Sequence, residues 1–256
     1  MSTVIAVTNQ KGGVGKTTTS INLAYYLAKS GKRTLLIDFD PQGNATSGLG
    51  IDKQALTSTM TDVMYETKGI HDVVVPAGHK NLFLAPSTPF LANTEPELAQ
   101  AARRFTRLKN AIEQMKGEKF DYIIIDNPPS LSLLTVNGLI AARYVLLPVQ
   151  AEFYALEGLG QLLETMKLIR KGMNPTLDIV GVLTTMMDSR TTLSRQVYDE
   201  IKKHFPGKMF EATIPRNIRL AEAPSHGVPI GVYDGFSKGA RAYKALSKEV
   251  LQRVGE

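Results

Sequence analysis

Residues 4–18 of the chain read VIAVTNQKGGVGKTT, and this stretch decides the fold class. The apolar run at 4–7 predicts a buried strand, and the run that starts at Thr17 predicts a helix. A glycine-rich turn between a strand and a helix is typical of a phosphate-binding loop, in which backbone N–H groups and the helix N-terminus hold phosphate oxygens. In such a loop Lys16 reaches the β- and γ-phosphates, and the Thr17 hydroxyl is a ligand of Mg²⁺.

The loop departs from the ordinary pattern at its start. Gln10 stands where a glycine is usual, and a second lysine, Lys11, follows it at once. A lysine this early in the loop cannot easily bend back onto its own nucleotide, but it can reach phosphates bound to another subunit. The sequence therefore predicts an ATPase assembled by dimerisation. The alternative is a chance Gly/Lys-rich turn, and the strand and helix on either side argue against it.

The composition of the chain excludes several classes of protein. The 256 residues, 43% hydrophobic and 21% charged, can bury one sizeable core without division into domains. The chain has no cysteine, which excludes disulfides, thiolate zinc sites and iron–sulfur clusters and suits a reducing cytosol. The first strand begins close to the N-terminus, so we expect no signal peptide. No apolar run approaches the roughly 18 residues that cross a membrane.

The positive charge is unevenly placed. The chain carries a formal net charge of +6, and residues 202–256 hold ten Lys/Arg against five Asp/Glu, a balance of +5. A basic face suits a polyanion such as nucleic acid or anionic lipid. A solvated surface with no such partner is the alternative, and charge alone does not separate the two.

Strand-like apolar runs alternate with helix-like amphipathic runs along the chain. This alternation predicts an α/β fold, a doubly wound and mostly parallel sheet flanked by helices, in a single domain over residues 1–256. The predicted strands are Val4–Thr8, Arg33–Phe39, Asn81–Ala85, Asp121–Asp126, Tyr144–Val149, Ile179–Thr184 and a short one at Ala212–Ile214. The predicted helices are Thr17–Lys29, Ala99–Met115, Leu133–Ala142, Ala155–Arg170, Ser194–His204 and Ala240–Val254, and Gly43–His79 shows no clear period.

Two acids follow the second predicted strand. Asp38 and Asp40 stand at its tip, and in an open α/β sheet ligands bind beyond the carboxyl ends of the strands. Alternation points both side chains to the same side, so that one can hold Mg²⁺ through water and the other can position the attacking water. The sequence Asp-Pro-Gln-Gly at 40–43 is also a good turn on composition alone. The position at the strand tip favours a functional role for Asp40.

The strand at 121–126 reads DYIIID and is followed by NPPS. A buried apolar strand that ends in one carboxylate is a Walker B type element, and it lets Asp126 meet Mg²⁺ through the water shell of the metal. The signal is weak alone and strong beside a phosphate-binding loop. The predicted metal site therefore consists of Thr17, Asp40 and Asp126.

The chain resembles the ParA/Soj family of chromosome- and plasmid-partitioning ATPases, within the deviant Walker A group of P-loop NTPases that includes MinD. The stretches that carry the resemblance are Lys11–Thr18, Asp38–Gly48, Asp121–Ser130, Pro148–Gly158 and Ile214–Gly227. No part of the chain resembles the N-terminal helix-turn-helix arm of the larger plasmid relatives, which argues against operator-specific repression.

The resemblance implies roles for individual residues. Lys11 would cross to the partner subunit's phosphates in an ATP sandwich dimer, Gly12 would allow the subunits to pack closely, and Asp40 would serve hydrolysis together with Lys11 and Lys16. The ATP-binding residues implied are Lys11, Gly12, Gly13, Val14, Gly15, Lys16, Thr17 and Thr18 around the phosphates, with Pro215 and Asn217 at the adenine. Asn127 stands where the family most often has cysteine, and we expect no mechanistic consequence.

Arg190 and Arg219 match arginines that the family uses for sequence-independent DNA binding by the dimer. From the residues alone, Arg190 can instead cap or pair near a helix start, and Arg219 can pair with Glu222 at i+3 on a helix. The resemblance, together with the basic C-terminal fifth, favours phosphate contact with duplex DNA.

The resemblance implies a slow ATPase that a ParB/Spo0J-like partner stimulates, a cytoplasmic protein that associates with the nucleoid when ATP is bound. A MinD-like membrane switch is one alternative, but residues 248–256 offer little apolar surface for a membrane-binding helix. A small-molecule enzyme of the same fold is another, without a substrate motif to support it. ParA-like positioning of a different cargo stays open.

Overall fold

The fold is built on one sheet of seven strands. In the computed structural model, residues 2–115, 119–152, 159–188 and 190–255 are described. The strands are β1 (Thr3–Val7), β2 (Thr34–Asp38), β3 (Val75–His79), β4 (Leu82–Ala85), β5 (Tyr122–Asp126), β6 (Tyr144–Gln150) and β7 (Asp178–Thr185). They are arranged in the order β3-β4-β2-β5-β1-β6-β7, and among these described strands only the β3–β4 pair is antiparallel. The predicted doubly wound, mostly parallel sheet is therefore confirmed.

Helices cover both faces of the sheet. They are α1 (Lys16–Lys29), α2 (Asn44–Gly48), α3 (Met60–Met64), α4 (Ile70–Val73), α5 (Thr94–Glu97), α6 (Arg107–Glu113), α7 (Leu133–Ala141), α8 (Leu159–Gly172), α9 (Thr192–His204), α10 (Ile218–Glu222), α11 (Ile230–Tyr233) and α12 (Lys238–Arg253), with 3₁₀ turns at Pro89–Asn93 and Ala223–His226.

Alternate residues of the central strands enter two separate cores. In β5, Ile123 and Ile125 pack on one face of the sheet with residues of α7 and α8, whereas Tyr122 and Ile124 pack on the other face with residues of α1 and α12. Because both faces of a parallel sheet are buried, its central strands are apolar at nearly every position. This explains why β5 appears in the sequence as a continuous apolar run.

Two predicted elements are wrong. The helix predicted at Ala99–Met115 is reduced to α6, because Arg103 takes a left-handed conformation with φ of 58° that interrupts a helix. Residues 212–214 form no strand: the Ile214 N–H donates to the Thr184 carbonyl at 2.9 Å, but the Glu249 carboxylate accepts the Ala212 N–H at 3.1 Å, so the pairing with β7 does not extend along the segment. The start of the helix predicted at Ala155–Arg170 lies outside the described residues.

The irregular region predicted at Gly43–His79 contains three short helices, α2 to α4, and the edge strand β3. The strand escaped prediction because Pro76 and Gly78 lie within it, and both residue types are unfavourable in strands. A strand at the sheet edge tolerates them, since one side of its backbone has no neighbour. Within the described residues, no helix is both long and apolar enough to span a membrane.

Candidate functional site

The carboxyl ends of three adjacent strands bring the predicted site residues together. β5 lies between β2 and β1, with Asp126 in register with Asp38 on one side and Val7 on the other. The loop after Val7 and the acids after β2 therefore flank Asp126. This is the edge of an open α/β sheet where ligands bind.

The phosphate loop, residues 8–15, is shaped by glycine. Gly13 and Gly15 have φ of 75° and 88°, in the left-handed region that glycine enters without strain. A side chain added at Gly12 or Gly13 would meet nothing within 4 Å, so the outer side of the loop is open space. The base of the loop is fixed by Asn9, whose amide donates to the Pro148 carbonyl at 2.7 Å and whose side-chain oxygen accepts the Lys11 N–H at 3.0 Å.

Lys16 is folded back over this loop. Its side chain is 7% exposed, and its Nζ donates to the Lys11 carbonyl at 3.1 Å. Burial lowers the pKa of Lys16, while the nearby carboxylates of Asp126 and Asp40 raise it in part. An ammonium group held among two acids and one carbonyl is well placed to exchange that carbonyl for a phosphate oxygen.

Asp126 is the most buried acid of the site. Its Oδ1 accepts the Ser20 hydroxyl at 2.9 Å, and its Oδ2 is buried without a hydrogen-bond partner among the described residues. Burial raises the pKa of Asp126, the charge of Asp38 adds to this, and the hydroxyls of Thr17 and Ser20 oppose it. A buried carboxylate oxygen without a partner beside a threonine hydroxyl fits a hydrated Mg²⁺.

The donor set fits magnesium better than a metal held by side chains alone. Among the described residues, no group of three or more His, Asp or Glu side chains is placed to hold a metal ion. Mg²⁺ usually keeps several waters and binds through one or two carboxylates and substrate phosphates. Thr17, Asp126 and the open phosphate loop together match that requirement.

Asp38 and Asp40 have different surroundings. The Asp38 carboxylate accepts the N–H and the hydroxyl of Thr46 at 2.7 and 2.6 Å, so it fixes α2 onto the tip of β2. Burial raises the pKa of Asp38 to about 6, and the bonds from Thr46 oppose that rise. Among the described residues, the Asp40 carboxylate accepts only the Gln42 N–H, at 2.9 Å from its Oδ1. Of the two acids, Asp40 is the one with unused oxygen for chemistry.

The Lys11 side chain pairs with Glu152 and is partly exposed to solvent. Its Nζ lies 3.7 Å from Glu152 Oε2, and its side chain is 35% exposed. Lys16, five residues later, folds inward onto the same loop. The two lysines of the loop therefore face different surroundings within one subunit.

A cavity of about 280 Å³ continues from the phosphate loop toward the C-terminal part of the chain. Gly15 and Thr18 lie at one end of it, and Pro215 and Asn217 line it further along. Asn217 also caps α10, since its Oδ1 accepts the Arg219 N–H at 2.9 Å. The mostly apolar lining beside the phosphate loop suits the base of a nucleotide. A second cavity, of about 320 Å³, lies between α3, α4 and α6 and contains none of the predicted site residues.

The two arginines predicted to bind DNA are exposed and paired with acids. Arg190 donates from Nε and Nη2 to the Asp188 carboxylate at 2.9 and 2.8 Å. Arg219 donates to Glu222 at 2.9 Å, as the i+3 spacing predicted. These bonds raise the pKa of both guanidinium groups. Solvent-exposed ion pairs are weak, so a phosphate can displace the acid in each.

Sequence reasoning missed several residues that support the site: Asn9, Ser20, Thr46, Glu152 and Tyr243. Ser20 had a usable signal, since it lies three residues after Thr17 and thus on the same face of α1. The buried Tyr243 hydroxyl lies 3.2 Å from the Thr19 hydroxyl, which ties α12 to α1 beside the base cavity. Thr46, Glu152 and Tyr243 reach the site only through tertiary packing.

Comparison with known proteins assigns the family. A family model described as an AAA domain matches residues 2–179. The chain is 53% identical to the sporulation initiation inhibitor protein Soj of Bacillus subtilis over 98% of both chains. It is 48% identical to the chromosome partitioning protein ParA of Myxococcus xanthus, over 98% of this chain and 88% of that one.

Solved structures agree on the fold. Cobyrinic acid a,c-diamide synthase from Mycobacterium smegmatis, with bound ADP and magnesium, has a TM-score of 0.87 at 37% identity and covers 99% of this chain and 96% of its own. Although that name denotes a synthase, relatives that match 98% or more of this chain are named chromosome partitioning protein ParA and chromosome-partitioning ATPase Soj. The chain belongs to the Soj/ParA family of chromosome-partitioning ATPases.

Proposed function

We propose that the protein is a slow, ATP-dependent dimerising ATPase that binds duplex DNA without sequence preference and drives chromosome or plasmid partitioning with a ParB/Spo0J-like partner. The observation that carries the proposal is the outward position of Lys11, with its Nζ near Glu152, while Lys16 covers the phosphate loop. One lysine serves the subunit's own nucleotide, and the other is left for a second subunit.

ATP and Mg²⁺ fit the site residue by residue. The backbone of the loop, with Lys16, Thr17 and Thr18, would hold the phosphates, and Pro215 and Asn217 would hold the base. Thr17 and Asp126 would hold Mg²⁺, which supplies charge neutralisation at the phosphates when it is bound. The relative from Mycobacterium smegmatis, which binds ADP and magnesium, supports this assignment.

Hydrolysis would depend on Asp40. Its backbone is fixed by the Ser87 hydroxyl, which donates to the Asp40 carbonyl at 2.8 Å, while most of its carboxylate stays unused. A carboxylate on a fixed backbone can orient a water molecule and accept a hydrogen bond from it. We therefore assign Asp40 a role in hydrolysis more than in nucleotide affinity, beside its predicted place in the metal site with Thr17 and Asp126.

Dimerisation would control DNA binding. Arg190 and Arg219 are exposed on each subunit, and a dimer presents every such contact twice. α12 adds four exposed cations, and in the described part of the chain none of them forms an ion pair: Lys238, Arg241, Lys244 and Lys248. Phosphate contacts of this kind give affinity without sequence preference.

Positioning of another cargo by the same switch would use the same chemistry, so only the partner separates it from chromosome partitioning. Membrane binding in the manner of MinD has less support. The C-terminal helix α12 buries its apolar residues Tyr243, Leu246 and Val250 in the protein core. A helix whose apolar face is already packed has none to insert into lipid.

One experiment separates these functions. The protein is sedimented with duplex DNA and with anionic phospholipid vesicles, each with ATP, with ADP and without nucleotide. We expect ATP-dependent sedimentation with DNA and none with vesicles. ATP-dependent sedimentation with vesicles would favour the membrane switch, and sedimentation with neither would contradict DNA binding.

A further inference from the structure

Glu152 joins three segments around the phosphate loop. The residue follows the last position of β6, and its Oε1 accepts the Gln150 amide at 2.5 Å. Its Oε2 lies 3.7 Å from Lys11 Nζ, and its Oε1 lies 3.8 Å from Arg216 Nη2. One carboxylate thus contacts the phosphate loop and the segment that lines the base cavity.

The ion pair between Glu152 and Lys11 is weak. Glu152 is 47% exposed and Lys11 is 35% exposed, so water reaches both groups and the separation of 3.7 Å is that of a loose ion pair. Among the described residues, Glu152 is the only ion-pair partner of Lys11. When Lys11 leaves, Arg216 and Gln150 still compensate the Glu152 carboxylate.

We propose that Glu152 is a positioning residue that holds the Lys11 ammonium group on its own subunit and thereby opposes ATP-driven dimerisation. The inference rests on the proposed function, in which Lys11 binds the partner's phosphates. One ammonium group cannot remain at Glu152 and also contact phosphates across the subunit boundary. Formation of a dimer therefore breaks two of these pairs, one in each subunit. The pair thus raises the ATP concentration that dimerisation requires.

The Glu152 carboxylate favours the monomer, because hydrogen bonds within its own subunit fix its position. The Gln150 amide fixes the Glu152 side chain, and the Glu152 N–H donates to the Gln150 carbonyl at 2.8 Å. Glu152 cannot follow Lys11 over a longer reach without losing these bonds. Removing the charge at residue 152 should therefore ease the departure of Lys11 and leave the loop in place.

The test compares Glu152→Gln with wild type in the full chain. The ATP concentration for half-maximal dimerisation is measured by light scattering, and the hydrolysis rate is measured at saturating ATP. We expect Glu152→Gln to lower that concentration by about two- to fivefold, the range that an exposed ion pair accounts for. The hydrolysis rate of the dimer should not change. High salt should shrink the difference, because salt screens the pair in wild type.

Two controls separate this role from general effects. Glu164→Gln removes the same charge from an exposed ion pair with Lys167 on α8 and should behave as wild type. Glu152→Asp keeps the charge and should fall between wild type and Glu152→Gln. Equal midpoints for Glu152→Gln and Glu164→Gln would overturn the inference, and so would a higher midpoint for Glu152→Gln. If wild type itself stays monomeric with ATP, the proposed function fails instead.

Discussion

The Ser20 hydroxyl donates to Asp126 Oδ1 across 2.9 Å, from one turn into α1 to the tip of β5. The bond fixes one oxygen of the carboxylate, and within the described part of the chain Oδ2 has no hydrogen-bond partner. The geometry of the magnesium position thus depends on a residue that is not itself a ligand.

Ser20→Ala should weaken Mg²⁺ binding without removing a ligand. Loss of an outer-shell partner typically costs about 10- to 100-fold in metal affinity or activity, and we expect the lower end because Asp126 stays confined by burial. The measurement is the Mg²⁺ dependence of ATP hydrolysis. Ser30→Ala removes a hydroxyl that donates to the Leu27 carbonyl at the other end of α1 and should leave this dependence unchanged. A wild-type response from Ser20→Ala would show that Asp126 needs no such support.

The sequence correctly predicted the elements that have a clear pattern of residues and whose cause lies in neighbouring residues. β5 was visible as a continuous apolar run because both faces of the sheet bury it, and Asp126 was visible at its end. α1 was visible because a glycine loop precedes it and Gly31 follows it. Each of these signals lies within a few residues of the element that it specifies.

What escaped prediction depends on side-chain contacts that no local sequence pattern specifies. Asp38 and Asp40 share one strand tip and one predicted direction, yet Thr46 engages the first and leaves the second unused. The contact between Lys11 and Glu152 joins the first loop to the end of β6, and no local pattern reports it. The sequence position therefore predicted which side chains lie in the site. The packing of the folded chain determines which role each of them has.

Asp126→Asn should stabilise the nucleotide-free protein at high pH. Burial raises the pKa of Asp126, and an acid with a raised pKa contributes its stability below its unfolded-state pKa and loses it as pH rises through the folded-state value. Without Mg²⁺, the wild type should lose at least about 1 kcal/mol of unfolding free energy relative to Asp126→Asn between about pH 4 and pH 9, the equivalent of roughly one pKa unit.

Urea denaturation across this pH range measures the difference. Asp199→Asn, at an exposed position on α9, is the control for the removal of a carboxylate. Parallel pH profiles for wild type and Asp126→Asn would mean that the Asp126 carboxylate ionises without cost in the folded protein.

Lys11→Ala should remain folded and bind ATP but fail to dimerise. The Lys11 side chain makes one loose ion pair in the monomer, so its loss should change stability little. Light scattering with ATP gives the molar mass directly. Lys80→Ala, an exposed lysine in the turn between β3 and β4, is the matched control and should dimerise normally. Normal dimerisation of Lys11→Ala would exclude the role across the subunit boundary.

Asp40→Ala should bind ATP and dimerise but lose turnover, which traps the dimer. Asp38→Ala should behave differently, because it leaves the buried N–H and hydroxyl of Thr46 without their acceptor. We expect that change to lower the free energy of unfolding by about 2 kcal/mol or more. ATP hydrolysis, nucleotide affinity and urea denaturation, measured on both variants, separate the two roles. A loss of nucleotide affinity as the main effect of Asp40→Ala would make Asp40 a binding residue instead.

Duplex DNA should bind the ATP dimer with little sequence preference and with steep salt dependence. Each phosphate neutralised contributes about −0.9 to the slope of log K against log salt, and a dimer doubles every contact. Because Arg190 and Arg219 start from exposed ion pairs, binding must exchange Asp188 and Glu222 for phosphate oxygens. Arg219→Glu and Arg190→Glu should therefore lower affinity on all sequences alike and leave ATP-driven dimerisation intact.

Fluorescence anisotropy with labelled duplexes over a salt series, in the Asp40→Ala background, measures both affinity and slope. Lys171→Glu reverses an exposed charge on α8 and should have a smaller effect. Undiminished binding by the double arginine variant would indicate that DNA contacts the cations of α12 instead. Lys244 and Lys248 form no ion pair there within the described residues. Binding that ignores salt would exclude an electrostatic surface altogether.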